Sequence, residues 1–119
     1  MTMSYTPGWI FVSQEQESRS RATNQKTRDF IREPLKDARG VYKNVDTVGG
    51  IGDKAADALH RRGFVKAFHL VGQYLVLNMN EELFKQWLKD LLDEEGTRIQ
   101  DRYIDDAYIS ISEWCEVNM

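Results

Sequence analysis

The sequence has one cysteine and two histidines among its 119 residues. A single cysteine, Cys115, excludes an intramolecular disulfide framework and a four-thiolate zinc site. The single cysteine also excludes a two-cysteine, two-histidine zinc finger, although the two histidines, His60 and His69, are present. This cysteine usage is typical of a reducing compartment, the cytosol or the nucleus. No apolar stretch approaches the roughly 18 residues that a membrane span needs, so we expect no membrane insertion.

The chain also has no net excess of positive charge, since its net charge is -3 and its pI is near 5.4. This argues against a nucleic-acid partner, because a basic domain is the usual electrostatic footprint of such proteins. The charge is unevenly distributed, however. Residues 19–66 contain 12 Lys and Arg against six acidic residues, whereas residues 67–119 contain four against 11. Because salt screens attraction beyond about 8–10 Å, the local charge governs contact with phosphates more than the total does.

The length and a hydrophobic content of 41% predict one small globular domain, whose modest core would gain stability from oligomerisation. Residues 1–22 contain the apolar patch Trp9–Val12 and then a polar stretch that cannot repay the entropy of ordering. We therefore predict a flexible tail over residues 1–22 and a folded domain over residues 23–119. The apolar patch is interpreted as a segment that docks on the domain's own surface or, alternatively, as a partner-binding motif.

Within the domain, the pattern predicts an all-α fold, a compact bundle of about five short helices. Residues 64–77 are ambiguous by periodicity, because they fit either a helix or a strand. The other predicted elements are a helical turn at Thr27–Glu33 ended by Pro34, a loop over residues 35–48, a helix at Lys54–Arg62 stopped by Gly63, a helix that begins after Asn80, and a last helix after Gly96. The helix that begins after Asn80 has an apolar face, which consists of Leu83, Phe84, Trp87, Leu88, Leu91 and Leu92.

The string that carries chemistry runs from Gly49 to Leu59. Its Gly50-Ile51-Gly52 turn opens directly into a helix, which is the pattern of a helix-hairpin-helix motif. Glycines let the backbone turn tightly, and the exposed amides then face an oxyanion together with the positive end of the helix dipole. Such a device binds a DNA phosphate without reading the base sequence. The alternative is a tight turn that binds no ligand.

Six segments follow one another in the order of the motifs of a known family. The segments are Gln25–Leu35, Gly50-Ile51-Gly52, Arg62–Ala67, Gly72–Leu77, Leu83–Lys89 and Glu113-Trp114-Cys115. Together, over residues 23–119, they resemble the barrier-to-autointegration factor family. The family is a small all-helical homodimer that binds double-stranded DNA without sequence preference, with one site per subunit, and so bridges two duplexes. It also binds LEM-domain proteins of the inner nuclear membrane and lamins, and it serves nuclear assembly and chromatin organisation.

The resemblance implies roles for individual residues of this chain. It implies a helical conformation for residues 64–77, nuclear localisation with a cytoplasmic fraction, and no cofactor or metal. We also expect no enzymatic activity, because no Ser/His/Asp, Cys/His or paired metal-binding carboxylate arrangement stands out in the sequence. The implied DNA-binding residues are Gln25, Lys26, Gly50, Ile51, Gly52, Lys54 and Ala55, with Thr97 and Arg98 as a third set of phosphate contacts. The implied dimer and partner-binding residues are Gly72, Gln73, Tyr74, Leu75, Val76 and Trp87. The phosphorylation candidates are Thr23, at a position matching a family site, and Ser20, as a substitute for the site replaced by Asn24.

The chain departs from the family in four places: an additional tail 1–22, a loop 36–49 that is about five residues longer, Ala58 where a basic residue is usual, and an acidic run at residues 93–95. The first hypothesis is a non-enzymatic, DNA-bridging chromatin protein. The second is a divergent paralogue that keeps the fold and dimer but binds DNA weakly, because acidic residues near the third contact set would repel phosphate. A third is a helix-hairpin-helix subunit of a repair assembly whose catalysis lies in a partner.

Overall fold

The computed structural model describes residues 20–119, and these residues form five α-helices and one 3-10 helix. The all-α prediction is confirmed, because the described residues contain no strand and pair only in two isolated bridges. The predicted patch Trp9–Val12 lies outside the described residues. The elements are α1 (Gln25–Arg32), the 3-10 helix (Val45–Thr47), α2 (Asp53–Arg61), α3 (Ala67–Val76), α4 (Glu81–Glu94) and α5 (Asp101–Asn118).

Helix α1 begins two residues earlier than the predicted helical turn. The Asn24 side chain caps it by accepting a hydrogen bond from the Thr27 amide at 2.9 Å, which satisfies an amide that the helix itself leaves free. The helix ends where Glu33 takes an extended conformation, as expected for the residue before Pro34. The cap thus extends α1 to include Gln25 and Lys26.

The predicted loop at residues 35–48 is more ordered than its polar composition indicates. Val45 and Val48 are both 0% exposed and fix the 3-10 helix to the core. The Val45 amide donates to the Val65 carbonyl at 3.0 Å, which ties the segment to the approach of α3. The chain therefore reaches the Gly50-Ile51-Gly52 turn from a buried anchor and continues directly into α2.

The ambiguous segment at residues 64–77 is helical over α3. Its first turn is capped by His69, whose Nδ1 accepts hydrogen bonds from the Lys66 amide at 3.0 Å and the Val65 amide at 3.2 Å. These local contacts favour a helix where apolar periodicity does not decide between helix and strand.

Helix α4 buries most of its predicted apolar face but not Leu83, which is 51% exposed. Asn80 caps the helix as predicted, accepting from the Leu83 amide at 2.9 Å. Trp87 is half-buried and packs edge-on against Phe64 with ring centroids 4.9 Å apart. The prediction for Leu83 was wrong, because the helix begins at the α3–α4 corner, where no described element covers it.

Helix α5 is the central element, since α1, α3 and α4 all pack against it. It consequently buries polar residues as well as apolar ones: Ser110, Ser112 and Glu113 are all less than a tenth exposed. Burial raises the pKa of the Cys115 thiol on the same helix to about 11.

The first described residues lie along α5. Glu113 accepts hydrogen bonds from the Ser20 hydroxyl at 2.5 Å and from the Arg21 amide at 2.9 Å. The Arg21 guanidinium also lies over the ring of Tyr108, 5.5 Å from its centroid. The chain is thus held on the domain from residue 20 onward, whereas the sequence predicts a flexible tail through residue 22.

Candidate nucleic-acid interface

An open cleft of about 650 Å³ lies beside the glycine turn, between the start of α1 and the starts of α2 and α5. It brings together five of the predicted DNA-binding residues: Lys26, Gly50, Gly52, Lys54 and Ala55. Five further residues complete its lining: Asn24, Asp53, Ile99, Tyr103 and Asp106.

The turn is anchored from behind and open in front. The Ile51 side chain is 0% exposed, and the Ile51 amide donates to the Val48 carbonyl at 3.1 Å. Gly50 has a φ of +82°, which lies in the left-handed region that favours glycine. Gly52, by contrast, is exposed, and a Cβ added to it would meet no atom within 4 Å. The turn therefore leaves its outer surface free for a ligand.

Helix α2 begins without a side-chain cap, because Gly52 occupies its N-cap position. The first internal bond runs from the Ala56 amide to the Gly52 carbonyl at 2.9 Å. Among the residues that the structure describes, the amides of Asp53, Lys54 and Ala55 have no hydrogen-bond acceptor. Ala55 is only 2% exposed as a whole residue, backbone included, so the accessible part of this helix start belongs to Asp53 and Lys54, which are exposed. Unpaired amides at the positive end of a helix dipole suit an oxyanion.

Two lysines flank these amides. Lys26 on α1 donates from Nζ to the Ile51 carbonyl at 2.8 Å, which places its ammonium at the turn. An ammonium has three donors, so this bond leaves others for a ligand. Lys54 is exposed in the first turn of α2 and forms no ion pair with another described residue. The lysines and the amides together provide positive potential on one side of the cleft.

Carboxylates also line the cleft and lower that potential. Asp53 is exposed at the first position of α2, and Asp106 of α5 accepts a hydrogen bond from the Asn24 side-chain amide at 3.2 Å. Asp106 thereby supports the cap of α1, since the same Asn24 side chain holds the Thr27 amide. The cleft therefore carries charges of both signs. The two lysines and the helix-start amides attract an anion, and the two carboxylates oppose this attraction.

The structure separates other predicted DNA-binding residues from the cleft. The Gln25 side-chain amide donates to Asp29 along α1 at 2.6 Å and does not line the cleft. Arg98 lies 3.6 Å from the Asp93 carboxylate and lines a second, smaller cavity of about 300 Å³. The Thr97 amide closes the end of α4 by donating to the Leu92 carbonyl at 2.8 Å.

Arg102 is a cation near the cleft that the sequence analysis missed. It lies in the first turn of α5, and its guanidinium covers the ring of Tyr103 at 4.7 Å from the centroid and donates to the Tyr103 hydroxyl at 2.8 Å. Tyr103 in turn lines the cleft. Arg102 is the only Lys or Arg after Arg98 in the sequence, and that isolation in an acidic region was the available signal.

The acidic run at residues 93–95 is largely paired within the protein. Glu95 lies 2.7 Å from Arg61 and 3.3 Å from Arg62, and Glu94 lies 3.1 Å from Arg62. The hydrogen bond from Arg61, followed by that from Arg62, holds the pKa of Glu95 below its usual value. Glu94 and Glu95 therefore face Arg61 and Arg62 where α4 and α2 end. None of these four side chains lines the cleft.

The residues predicted to bind a second subunit or a partner differ in exposure. Leu75 and Val76 are 38% and 74% exposed, whereas Tyr74 is 6% exposed and packs edge-on against Phe84 in the core, with ring centroids 5.7 Å apart. Gly72, Gln73 and Trp87 are of intermediate exposure. Together with Met79 and Leu83, Leu75 and Val76 form an exposed apolar group at the α3–α4 corner, which we call the corner patch.

The remaining predicted site residues lie at the N-terminal side. Thr23 is exposed just before the α1 cap, and the Ser20 hydroxyl is engaged by Glu113. Within residues 20–119, no group of His, Cys, Asp and Glu side chains is arranged to hold a metal ion. None of the described helices is both long enough and apolar enough to span a bilayer.

Comparison with known proteins identifies the family. The family model for barrier to autointegration factor matches residues 21–118. Barrier-to-autointegration factor B of Xenopus laevis is 40% identical over 95 residues, which cover 80% of this chain and 94% of that protein. The barrier-to-autointegration factors of Mus musculus and Drosophila melanogaster are 38% and 36% identical, each over 94 residues and 79% of this chain, covering 94% and 93% of the respective relatives. The chain therefore belongs to the barrier-to-autointegration factor family, as its sequence motifs predicted.

Proposed function

We propose that this chain binds double-stranded DNA through its phosphate backbone, without sequence preference and without catalysing a reaction. The observation that carries the proposal is the uncapped start of α2 behind the Gly50-Ile51-Gly52 turn, flanked by Lys26 and Lys54. Backbone amides and lysines bind phosphate oxygens but read no base edges, so this arrangement supports affinity without sequence specificity. We place Arg102 in the same interface, next to the cleft residue Tyr103.

The salt dependence of binding tests this interface. We expect the logarithm of the affinity for a short random duplex to fall linearly with the logarithm of the salt concentration, with a slope of about 0.9 per neutralised phosphate. Lys26→Ala, Lys54→Ala and Arg102→Ala should each weaken binding and reduce the slope by about 1. Fluorescence anisotropy of a labelled duplex between low and physiological salt measures both quantities.

Arg98→Ala is the matched control for Arg102→Ala. Arg98 is also an arginine of the α4–α5 region, but it is paired with Asp93 and lies at the other cavity. If the third set of phosphate contacts comes from Arg102, Arg98→Ala leaves the affinity and slope unchanged. A loss in Arg98→Ala with none in Arg102→Ala would reinstate the prediction made from the sequence. Failure of the parent to bind at low salt would overturn the proposed function.

We further propose that the chain forms a homodimer and thereby bridges two duplexes in the nucleus. The exposed corner patch supports this, because neighbouring exposed apolar side chains on a small domain are typical of protein interfaces. The family resemblance adds LEM-domain proteins and lamins as candidate partners and chromatin organisation and the nuclear envelope as the setting. One phosphate-binding cleft per protomer then gives a dimer two separate DNA sites.

Replacement of Val76 tests the dimer. Val76→Glu places a carboxylate in the corner patch and should convert the dimer to a monomer at tens of micromolar, as measured by sedimentation velocity. The matched control is Val117→Glu near the end of α5, where Val117 is 50% exposed but distant in sequence from the patch. Val76→Glu should retain binding to one duplex and lose bridging of two. A parent that sediments as a clean monomer would contradict the bridging mechanism.

The second candidate function is that of a divergent paralogue that binds DNA weakly and acts as a dimerisation or interaction module. Asp53 and Asp106 favour it, since both carboxylates lie in the cleft and repel phosphate. The pairing of Glu94 and Glu95 with arginines weakens the argument from the acidic run, whereas Ala58, where a basic residue is usual in the family, still favours this function. The measured slope separates the two functions, because weak binding with few contacts gives a shallow one.

A further inference from the structure

Two buried hydroxyls lie directly behind the glycine turn. Thr27 of α1 and Ser110 of α5 are both 0% exposed. Ser110 Oγ accepts a hydrogen bond from the Gly49 amide at 3.0 Å. A Cβ added to Gly49 would lie 2.0 Å from Thr27 Oγ1 and 2.7 Å from Ser110 Oγ. The backbone at position 49 therefore rests on the two side chains, and nothing larger than glycine fits between them and the turn.

The Thr27 hydroxyl does not contribute through hydrogen bonding. Its Oγ1 is buried and has no partner among the described residues, a condition that costs free energy in a folded protein. Its contact with Gly49 is instead one of close approach, which sets how near the turn lies to α1. The residue before it, Lys26, reaches the front of the same turn and donates to the Ile51 carbonyl at 2.8 Å.

We propose that Thr27, Gly49 and Ser110 act as a spacer that sets the separation between the Lys26 ammonium and the turn amides, so that both bind the same phosphate. The three are positioning residues, since none lines the cleft. This inference rests on the proposed function. A side chain at position 49 moves the turn away from α1, so that Lys26 and the amides no longer act on one phosphate together.

A double-mutant cycle between positions 26 and 49 tests the spacer. We expect Gly49→Ala to weaken binding to a short duplex by about 10-fold at low salt, and Lys26→Ala to cost several-fold less in the Gly49→Ala protein than in the parent. Adding Thr27→Ala to Gly49→Ala removes the oxygen at 2.0 Å but leaves Ser110 Oγ at 2.7 Å, so it should restore part of the affinity and part of the sensitivity to Lys26→Ala. A merely structural role would not produce this dependence on Lys26.

Thermal unfolding shows whether Gly49→Ala folds. If it does not, variants of the buried serines test the spacer instead. Ser110→Ala leaves the Gly49 amide without its acceptor and should reduce both the affinity and the effect of Lys26→Ala. Ser112→Ala is the matched control, because Ser112 is a buried serine of the same helix that bonds only to its own helix, at 3.5 Å. Two outcomes would overturn the spacer alone, provided that the parent binds DNA. One is an equal loss of affinity in Ser110→Ala and Ser112→Ala. The other is additivity of the losses of affinity caused by Lys26→Ala and Gly49→Ala. A parent that does not bind DNA would overturn the proposed function instead.

Discussion

Gly52→Glu should weaken binding to duplex DNA on the order of 100-fold, because a carboxylate within about 4 Å of a phosphate costs 1–4 kcal/mol at an effective dielectric between those of water and a protein surface. Gly52 is exposed at the N-cap of α2, next to the unpaired amides that we assign to phosphate. Its φ of -92° suits any residue, and an added Cβ meets nothing within 4 Å. The protein should therefore stay folded, while the electrostatic potential at the turn becomes less favourable for a phosphate. Anisotropy of a labelled duplex at low salt measures the loss.

Gly52→Gln is the control for size, since glutamine has the shape of glutamate without its charge. We expect Gly52→Gln to lose only a small part of the affinity and both variants to unfold within a few degrees of the parent. Equal losses in the two variants would show that the turn is blocked sterically and that charge is not the cause. Full binding by Gly52→Glu would remove the turn from the DNA interface.

The turn and its lysine could be predicted because their chemistry is local. Gly50, Ile51 and Gly52 are adjacent in the sequence, and a helix-forming run stopped by Gly63 follows them directly. Lys26 required the family resemblance, since it is 25 residues from the Ile51 carbonyl that it contacts. Cleft residues from α5 were missed because nothing in a single sequence indicates which turn of a later helix meets the hairpin.

The third set of phosphate contacts depends on the family resemblance and not on a local pattern. The resemblance implies Arg98, whereas we propose Arg102. The structure begins α5 at Asp101, which places Arg102 in its first turn and leaves Arg98 in the preceding connection. The two arginines are about one helical turn apart in sequence, so a small shift in alignment exchanges them, and the comparison of Arg98→Ala with Arg102→Ala decides between them.

The fold was predicted at the level of its helices, and its buried polar groups were not. Apolar periodicity predicts α4 and α5, and a helix-forming run stopped by Gly63 predicts α2, whereas Ser110 and Glu113 follow no pattern that predicts burial. They are buried because α5 lies between other helices and because hydrogen-bond partners from distant segments satisfy them: the Gly49 amide for Ser110, and the Ser20 hydroxyl and Arg21 amide for Glu113. Such pairings join residues 61 and 93 positions apart and exist only in the folded chain.

Gly50→Ala should destabilise the protein far more than a single methyl group suggests. Gly50 has a φ of +82°, and an added Cβ would lie 2.1 Å from the Tyr103 carbonyl oxygen, a backbone atom that cannot turn away. The left-handed conformation alone costs a non-glycine residue about 1–2 kcal/mol. With the displacement of the turn added, we expect a total loss of about 3 kcal/mol or more. In a domain of about 100 residues this lowers Tm by about 10–20 °C, measurable by circular dichroism or calorimetry.

Gly63→Ala separates the two contributions. Gly63 has a φ of +90°, similar to that of Gly50, but an added Cβ meets nothing within 4 Å. It should lose only the conformational part, about 1–2 kcal/mol. The difference between the two variants then measures the contact between the turn and the start of α5. Equal losses would contradict the close packing of Gly50 on Tyr103, and with it the fixed position of Arg102 beside the cleft. A larger loss for Gly50→Ala supports the turn and the first turn of α5 as one rigid surface, which a single phosphate backbone can contact at several points at once.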